Sequence, residues 1–172
     1  MNVRETEDVT SEAYHGTSEE CARTIEANGF TLPQPNQSNR YGCAVYFWLN
    51  SKEQACWWAR KIPDVKVIAV IRAKVAYGKH LNIISWEGQE ILQKIARKIS
   101  ESTRVSQVTE AAVLNFMAKK GWIETALILD LLQTSVGPIL AGFHSVKGTR
   151  LILSVYRLEN IIERTIVLTE AA

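Results

Sequence analysis

A long β-branched segment constrains the fold of this chain more than any other feature. Residues 64–75, DVKVIAVIRAKV, are rich in valine and isoleucine, which is typical of a strand. A strand satisfies its backbone hydrogen-bonding groups by pairing, so the chain must supply partner strands. Further strands are predicted at 12–15, 42–49, 80–84, 138–143, 149–156 and 161–168.

Helices are predicted between these strands. Ser18 is placed to cap a helix that Gly29 ends, and Ser51 is placed to cap a second helix that Pro63 limits. Three more helices are predicted at 86–100, 107–119 and 122–132. Turns are predicted at Tyr77-Gly78-Lys79 and at Gly148.

The order of these elements predicts an α+β fold. Strands and helices alternate at first, a helical stretch follows, and the chain ends in strands, which favours a largely antiparallel sheet. We expect a single domain over residues 1–172, because this length suffices for one core. Residues 1–11 are expected to form a loose lead-in, and residues 84–135 a central helical insertion.

The composition is that of an ordinary globular protein, with 47% hydrophobic and 22% charged residues. A net charge of +2 provides no strong field toward nucleic acid or membranes. No apolar run approaches the ~18 residues of a membrane span, and the three cysteines lack metal-ligand spacing. We therefore expect a cytoplasmic protein with no membrane and no metal partner.

Two strand-helix units carry the candidate site. The first contains Tyr14-His15-Gly16-Thr17, and the second contains Tyr46-Phe47 before a helix with Trp57. If the two strands pair, His15 and Tyr46 project into one cleft, where aromatic rings could hold a flat heterocycle. Gly16 would let a ligand approach the backbone, and His15 could hydrogen-bond a ribose hydroxyl. Both His15 and Tyr46 also fit a purely structural role.

This ordered set resembles the ADP-ribosyltransferase fold, in its diphtheria-toxin and poly-ADP-ribose-polymerase-like branch. The resemblance covers about residues 13–60 and implies a split antiparallel β-sheet core with flanking helices. It implies that His15 binds the nicotinamide ribose of NAD and that the Gly16 backbone binds the carboxamide, with Thr17 as a further cofactor-binding residue. It also implies that Tyr46 stacks on nicotinamide and that Trp57 completes the sandwich.

The sequence departs from the family pattern where a late-strand glutamate is usual. Aligning TRLILSVY with that strand puts Thr149 or Arg150 at the position, and a loop-borne acid would fall near His144 or Ser145. None of these is a carboxylate, and a missing transition-state group costs roughly 10²–10³ in rate. Arg150 joins His15 and Tyr46 as the third catalytic candidate, as a group that could bind a phosphate or an acidic target. His144 is a substitute acid–base candidate. The family also usually has a second glycine where this chain has Ala44.

The resemblance implies three alternative functions. The first is a mono-ADP-ribosyltransferase that uses NAD as substrate, releases nicotinamide and modifies a protein or nucleic-acid acceptor, as a toxin, an effector or a phage–host conflict protein. The second is a catalytically silent module of the same fold that binds NAD, ADP-ribose or a partner protein. The third is an NAD-using RNA 2′-phosphotransferase, which ranks last because the basic residues of its phosphate pocket are not found.

Overall fold

The structure is a computed structural model, and it describes residues 4–34, 40–105, 107–131 and 149–172. Within them the strands are β1 (Arg4–Ser18), β2 (Val45–Leu49), β3 (Val67–Asn82), β4 (Thr125–Leu131), β5 (Thr149–Val155) and β6 (Ile161–Ala171). The helices there are α1 (Glu19–Asn28), α2 (Lys52–Ala59), α3 (Trp86–Thr103) and α4 (Glu110–Lys119). The prediction of an α+β fold with a mostly antiparallel sheet is thus confirmed for the described residues.

Strand β3 organises the sheet. Its first part, 67–75, pairs with β6, its last residues, 80–82, pair with β4, and its other edge pairs with β1. The pairings β1–β2, β2–β5 and β5–β4 then close a circuit back to β3. All of these pairings are antiparallel except β3–β4, which is parallel. Two apolar clusters result, one beside α3 and α4 and the other beside α1.

The predicted caps of the first two helices are confirmed. The Ser18 side chain accepts a hydrogen bond from the Cys21 amide, and the Ser51 side chain accepts one from the Gln54 amide. Gly29 ends α1 with a φ of 88°, a conformation that favours glycine. Local sequence therefore places both helices that follow the candidate strands.

The predicted helix at 122–132 is wrong, because residues 125–131 form strand β4. This strand lies between β3 and β5, and Thr125, Ala126 and Ile128 are almost completely buried. A strand covered on both faces has a continuous apolar sequence, which periodicity cannot distinguish from a buried helix. Consequently the described part of the segment 84–135 is only partly helical, and its helices are α3 and α4.

The prediction of a loose N-terminal lead-in is also wrong for residues 4–11. They extend β1, and Arg4 lies opposite His80 while Ser11 lies opposite Val75 on β3. The backbone of this stretch forms hydrogen bonds to the edge of a long neighbouring strand, so a polar sequence does not prevent it from joining the sheet.

The predicted turn at 77–79 is replaced by continuous strand. Gly78 has a φ of 56° within β3, and a side chain there would meet the carboxylate of Glu124. This glycine is therefore required inside the strand rather than at a turn.

Several sequence predictions fall outside the described residues: the strand at 138–143, the turn at Gly148, and the roles considered for His144 and Ser145. In the part of the chain that is described, no helix has both the length and the apolar character needed to cross a bilayer.

Candidate functional site

The cleft between β1 and β2 begins where their pairing stops. The two strands pair at Ala13 with Leu49 and at Tyr14 with Trp48. At the next residue of β1, a side chain replaces the backbone pairing: the Nδ1 atom of His15 lies 2.9 Å from the Tyr46 carbonyl oxygen. The side chain thus bridges the strands at the point where they separate, which brings His15 and Tyr46 together as the sequence predicts.

The His15 ring is held in one orientation and one protonation state. Burial lowers the pKa of His15, against the smaller opposing effect of the bond to the Tyr46 carbonyl, so the ring is neutral at neutral pH. A carbonyl only accepts, so Nδ1 carries the proton and Nε2 carries the lone pair. Phe30 and Phe47 pack edge-on against the ring at 5.3 and 5.8 Å between centroids. His15 therefore presents a fixed hydrogen-bond acceptor.

A cavity of about 180 Å³ opens beside His15 and Tyr46. Its lining combines aromatic side chains with one acid and one base: His15, Gly16, Arg40, Tyr41, Tyr46, Phe47, Trp48, Trp58, Asp130 and Ile152. Cavities of about 150 Å³ hold a benzene ring. A single substituted six-membered ring therefore fits, whereas a whole dinucleotide has to extend beyond the cavity.

Tyr46 forms part of the wall and is itself anchored. Its hydroxyl donates a short hydrogen bond to the Gly42 carbonyl, and its ring packs edge-on against Tyr41 at 6.0 Å. Burial raises the pKa of the Tyr46 hydroxyl, so this group remains a donor at neutral pH. The ring is thereby oriented as a fixed apolar surface of the cavity.

Gly16 lines the cavity, but helix α2 explains the lack of a side chain there. A Cβ at this position would lie 1.8 Å from the Ala55 carbonyl oxygen and 3.2 Å from the Ala59 Cβ. Helix α2 therefore packs directly on the β1 backbone. The adjacent Thr17 is buried and is not part of the cavity lining.

Helix α2 places Trp58, rather than Trp57, in the cavity wall. Successive helical residues diverge by about 100°, so only one of the two can face the cleft. Trp58 lies 6.3 Å from the ring of Trp48, which also lines the cavity. Trp57 instead lies against Arg150, with the guanidinium carbon 3.8 Å from the ring centroid.

Arg150 borders the cavity without lining it. Its guanidinium lies between Trp57 and Trp48, 5.8 Å from the centroid of the Trp48 ring. Within the described residues it forms no ion pair. Two indole rings thus hold beside the cavity a cation whose planar guanidinium is suited to bind an anion.

Sequence reasoning missed the carboxylate of this site. Asp130 of β4 lines the cavity, and its Oδ1 accepts hydrogen bonds from the Tyr41 hydroxyl at 2.9 Å and from Arg40 at 3.1 Å. Burial, together with this neighbouring carboxylate, raises the pKa of Tyr41, which therefore remains a donor. A signal was present, since Asp130 is the single acid within the apolar run 126–132. The prediction of a helix there concealed its position opposite Arg150.

The described residues contain no group of three or more histidine, cysteine or acidic side chains that could hold a metal ion. No protein-family model matches the chain, and no curated protein matches it by sequence.

Proposed function

We propose that this protein is a mono-ADP-ribosyltransferase-like enzyme that binds NAD at the cavity between β1 and β2. It releases nicotinamide and transfers ADP-ribose to a protein or nucleic-acid acceptor. The observation that carries the proposal is the bridge from the His15 ring to the Tyr46 carbonyl beside an aromatic cavity that both residues line. The fold proposed with it is the split-sheet ADP-ribosyltransferase arrangement.

The shape of the cavity supports a nicotinamide ring as its occupant. The volume of about 180 Å³ suits one flat ring, and Tyr46, Trp48 and Trp58 provide aromatic surfaces for it. The neutral His15 ring presents Nε2 as an acceptor, which suits a ribose hydroxyl attached to such a ring.

The charges around the cavity also suit NAD. This ligand has a cationic nicotinamide ring at one end and an anionic pyrophosphate further along. Asp130 supplies a negative group in the wall, and Arg150 supplies a cation just outside it. Arg150 and Asp130 lie directly opposite each other on β5 and β4. One NAD molecule can therefore place its nicotinamide ring near Asp130 and its pyrophosphate near Arg150.

The first test measures nicotinamide release from labelled NAD, alone and with cell lysate, and scores label on protein and nucleic acid. We expect His15→Asn, which retains a donor toward the Tyr46 carbonyl but loses the Nε2 acceptor, to weaken NAD binding about tenfold. Tyr46→Ala should weaken it ~10- to 100-fold through lost stacking. Trp86→Ala, 78% exposed on α3, is the control and should behave as wild type.

Each result has a distinct meaning. Label that both site variants reduce supports the transferase and identifies the class of acceptor. NAD binding without nicotinamide release favours the silent binding module of the same fold. Lack of any NAD or ADP-ribose binding by calorimetry would contradict both functions.

A matched pair of tryptophan variants tests the position of the ring. We expect Trp58→Ala to weaken the binding of nicotinamide-containing ligands about tenfold, because Trp58 lines the cavity. The same variant should leave ADP-ribose binding nearly unchanged. Trp57→Ala should weaken the binding of NAD and of ADP-ribose to a similar extent, because Trp57 holds Arg150 in place. Calorimetric titration with NAD and ADP-ribose separates these patterns, and equal effects of the two variants on both ligands would place the ring elsewhere.

A further inference from the structure

We infer that Asp130 is the carboxylate that stabilises the positive charge developing on the ribose when nicotinamide leaves. The inference rests on the proposed function and assigns a catalytic group to the same cavity. The Asp130 carboxylate lies in the cavity wall although its strand, β4, is far along the chain from the His15 and Tyr46 segments.

The sheet register places Asp130 on the cavity face. Trp48 lies opposite Ile152, Ile152 lies opposite Ile128, and Asp130 is two residues beyond Ile128 on the same face of β4. Ile152 and Asp130 both line the cavity. The carboxylate therefore shares a wall with the aromatic rings rather than lying on the solvent face of the sheet.

The carboxylate is oriented by its partners. The Tyr41 hydroxyl and Arg40 both bind Oδ1, and neither uses Oδ2. The side chain is only 16% exposed, whereas Arg40 is 63% exposed, so solvent weakens the ion pair from the side of the arginine. Tyr41 is a positioning residue in this arrangement, and Oδ2 is the carboxylate oxygen to which none of the described residues donates a hydrogen bond.

The chemistry of NAD cleavage needs such a group. The bond between ribose C1′ and the nicotinamide nitrogen breaks, and its electron pair leaves with nicotinamide, which becomes neutral. The positive charge moves to C1′ and the ring oxygen of the ribose. With water as acceptor, a new C1′–O bond forms and one proton passes to solvent, giving ADP-ribose. A fixed carboxylate beside C1′ lowers the energy of the transition state in which the ribose carries this positive charge.

The experiment compares wild type, Asp130→Asn and the exposed control Asp64→Asn, all checked for folding by circular dichroism. We expect Asp130→Asn to lower kcat for NAD hydrolysis ~10²- to 10³-fold, with NAD binding altered much less. Tyr41→Phe should lower kcat by a smaller factor, because it loosens the carboxylate without removing it. Asp64→Asn should retain wild-type kcat.

A binding measurement keeps the inference testable without turnover. Wild type should bind NAD, with its cationic ring, more tightly than NADH, with its neutral ring, and Asp130→Asn should reduce that preference about tenfold. Full kcat or an unchanged preference in folded Asp130→Asn would overturn the inference and leave the proposed function intact. Failure of wild type to bind either dinucleotide would overturn both.

Discussion

Replacing Gly16 by alanine is expected to destabilise the protein by about 3 kcal/mol. The new Cβ would lie 1.8 Å from the Ala55 carbonyl oxygen, and this atom belongs to the backbone of α2. The overlap can be relieved only by moving the helix or β1, whose partner β3 holds it along its other edge. Because α2 carries Trp58, the same displacement should also widen the cavity.

The expected loss of stability is opposite in sign to the usual effect of replacing glycine by alanine. Glycine-to-alanine changes at positions with an ordinary backbone conformation usually stabilise a protein by ~0.4–1 kcal/mol. Gly121→Ala is a suitable comparison, since nothing lies within 4 Å of its added methyl group and only a φ of 65° opposes it. We expect that variant to cost about 1 kcal/mol. Urea denaturation of both variants measures the difference, and a neutral or stabilising Gly16→Ala would show that α2 does not rest on β1.

The free energy of unfolding is expected to fall by roughly 3 kcal/mol between pH 6.5 and pH 4 because of His80. Burial lowers the pKa of His80 to about 4, from 6.5 in the unfolded chain. In this window the unfolded chain binds a proton that the native protein does not, so acid favours unfolding. Below about pH 4 both states are protonated and this contribution is fully lost.

Burial keeps His80 neutral, and its neighbours hold the ring in one orientation. Thr125 Oγ1 donates to the Tyr77 carbonyl at 2.6 Å, so the His80 Nδ1, 2.9 Å from Oγ1, is the donor of their mutual hydrogen bond. The Tyr77 ring stacks on the imidazole at 4.4 Å. Burial lowers the pKa of His15 as well, so its contribution has the same sign.

The test is a series of urea denaturation curves from pH 7 to pH 4 for wild type and His80→Asn. Asparagine retains a donor toward Thr125 but does not titrate in this range. We expect the pH dependence of the variant to be smaller by roughly 3 kcal/mol. Identical slopes for the two proteins would show that His80 titrates normally in the native state.

The sequence by itself determined the local structure around the candidate site. Ser18 and Ser51 cap their helices as predicted, since capping depends on residues within one turn. The strands that carry His15 and Tyr46 were also predictable, because each has a strand-like sequence and leads into one of those helices. Local signals of this kind act within a few residues and can be read directly from a sequence.

Tertiary structure alone decided which other groups reach the cavity. Trp58 rather than Trp57 faces it because α2 packs on Gly16 through Ala55 and Ala59, and no local signal distinguishes the two tryptophans. Asp130 arrives through the register between β4 and β5, in a segment whose apolar sequence predicts a helix equally well. Pairing between strands distant in sequence is a property of the whole sheet, and it decides which charges surround a ligand.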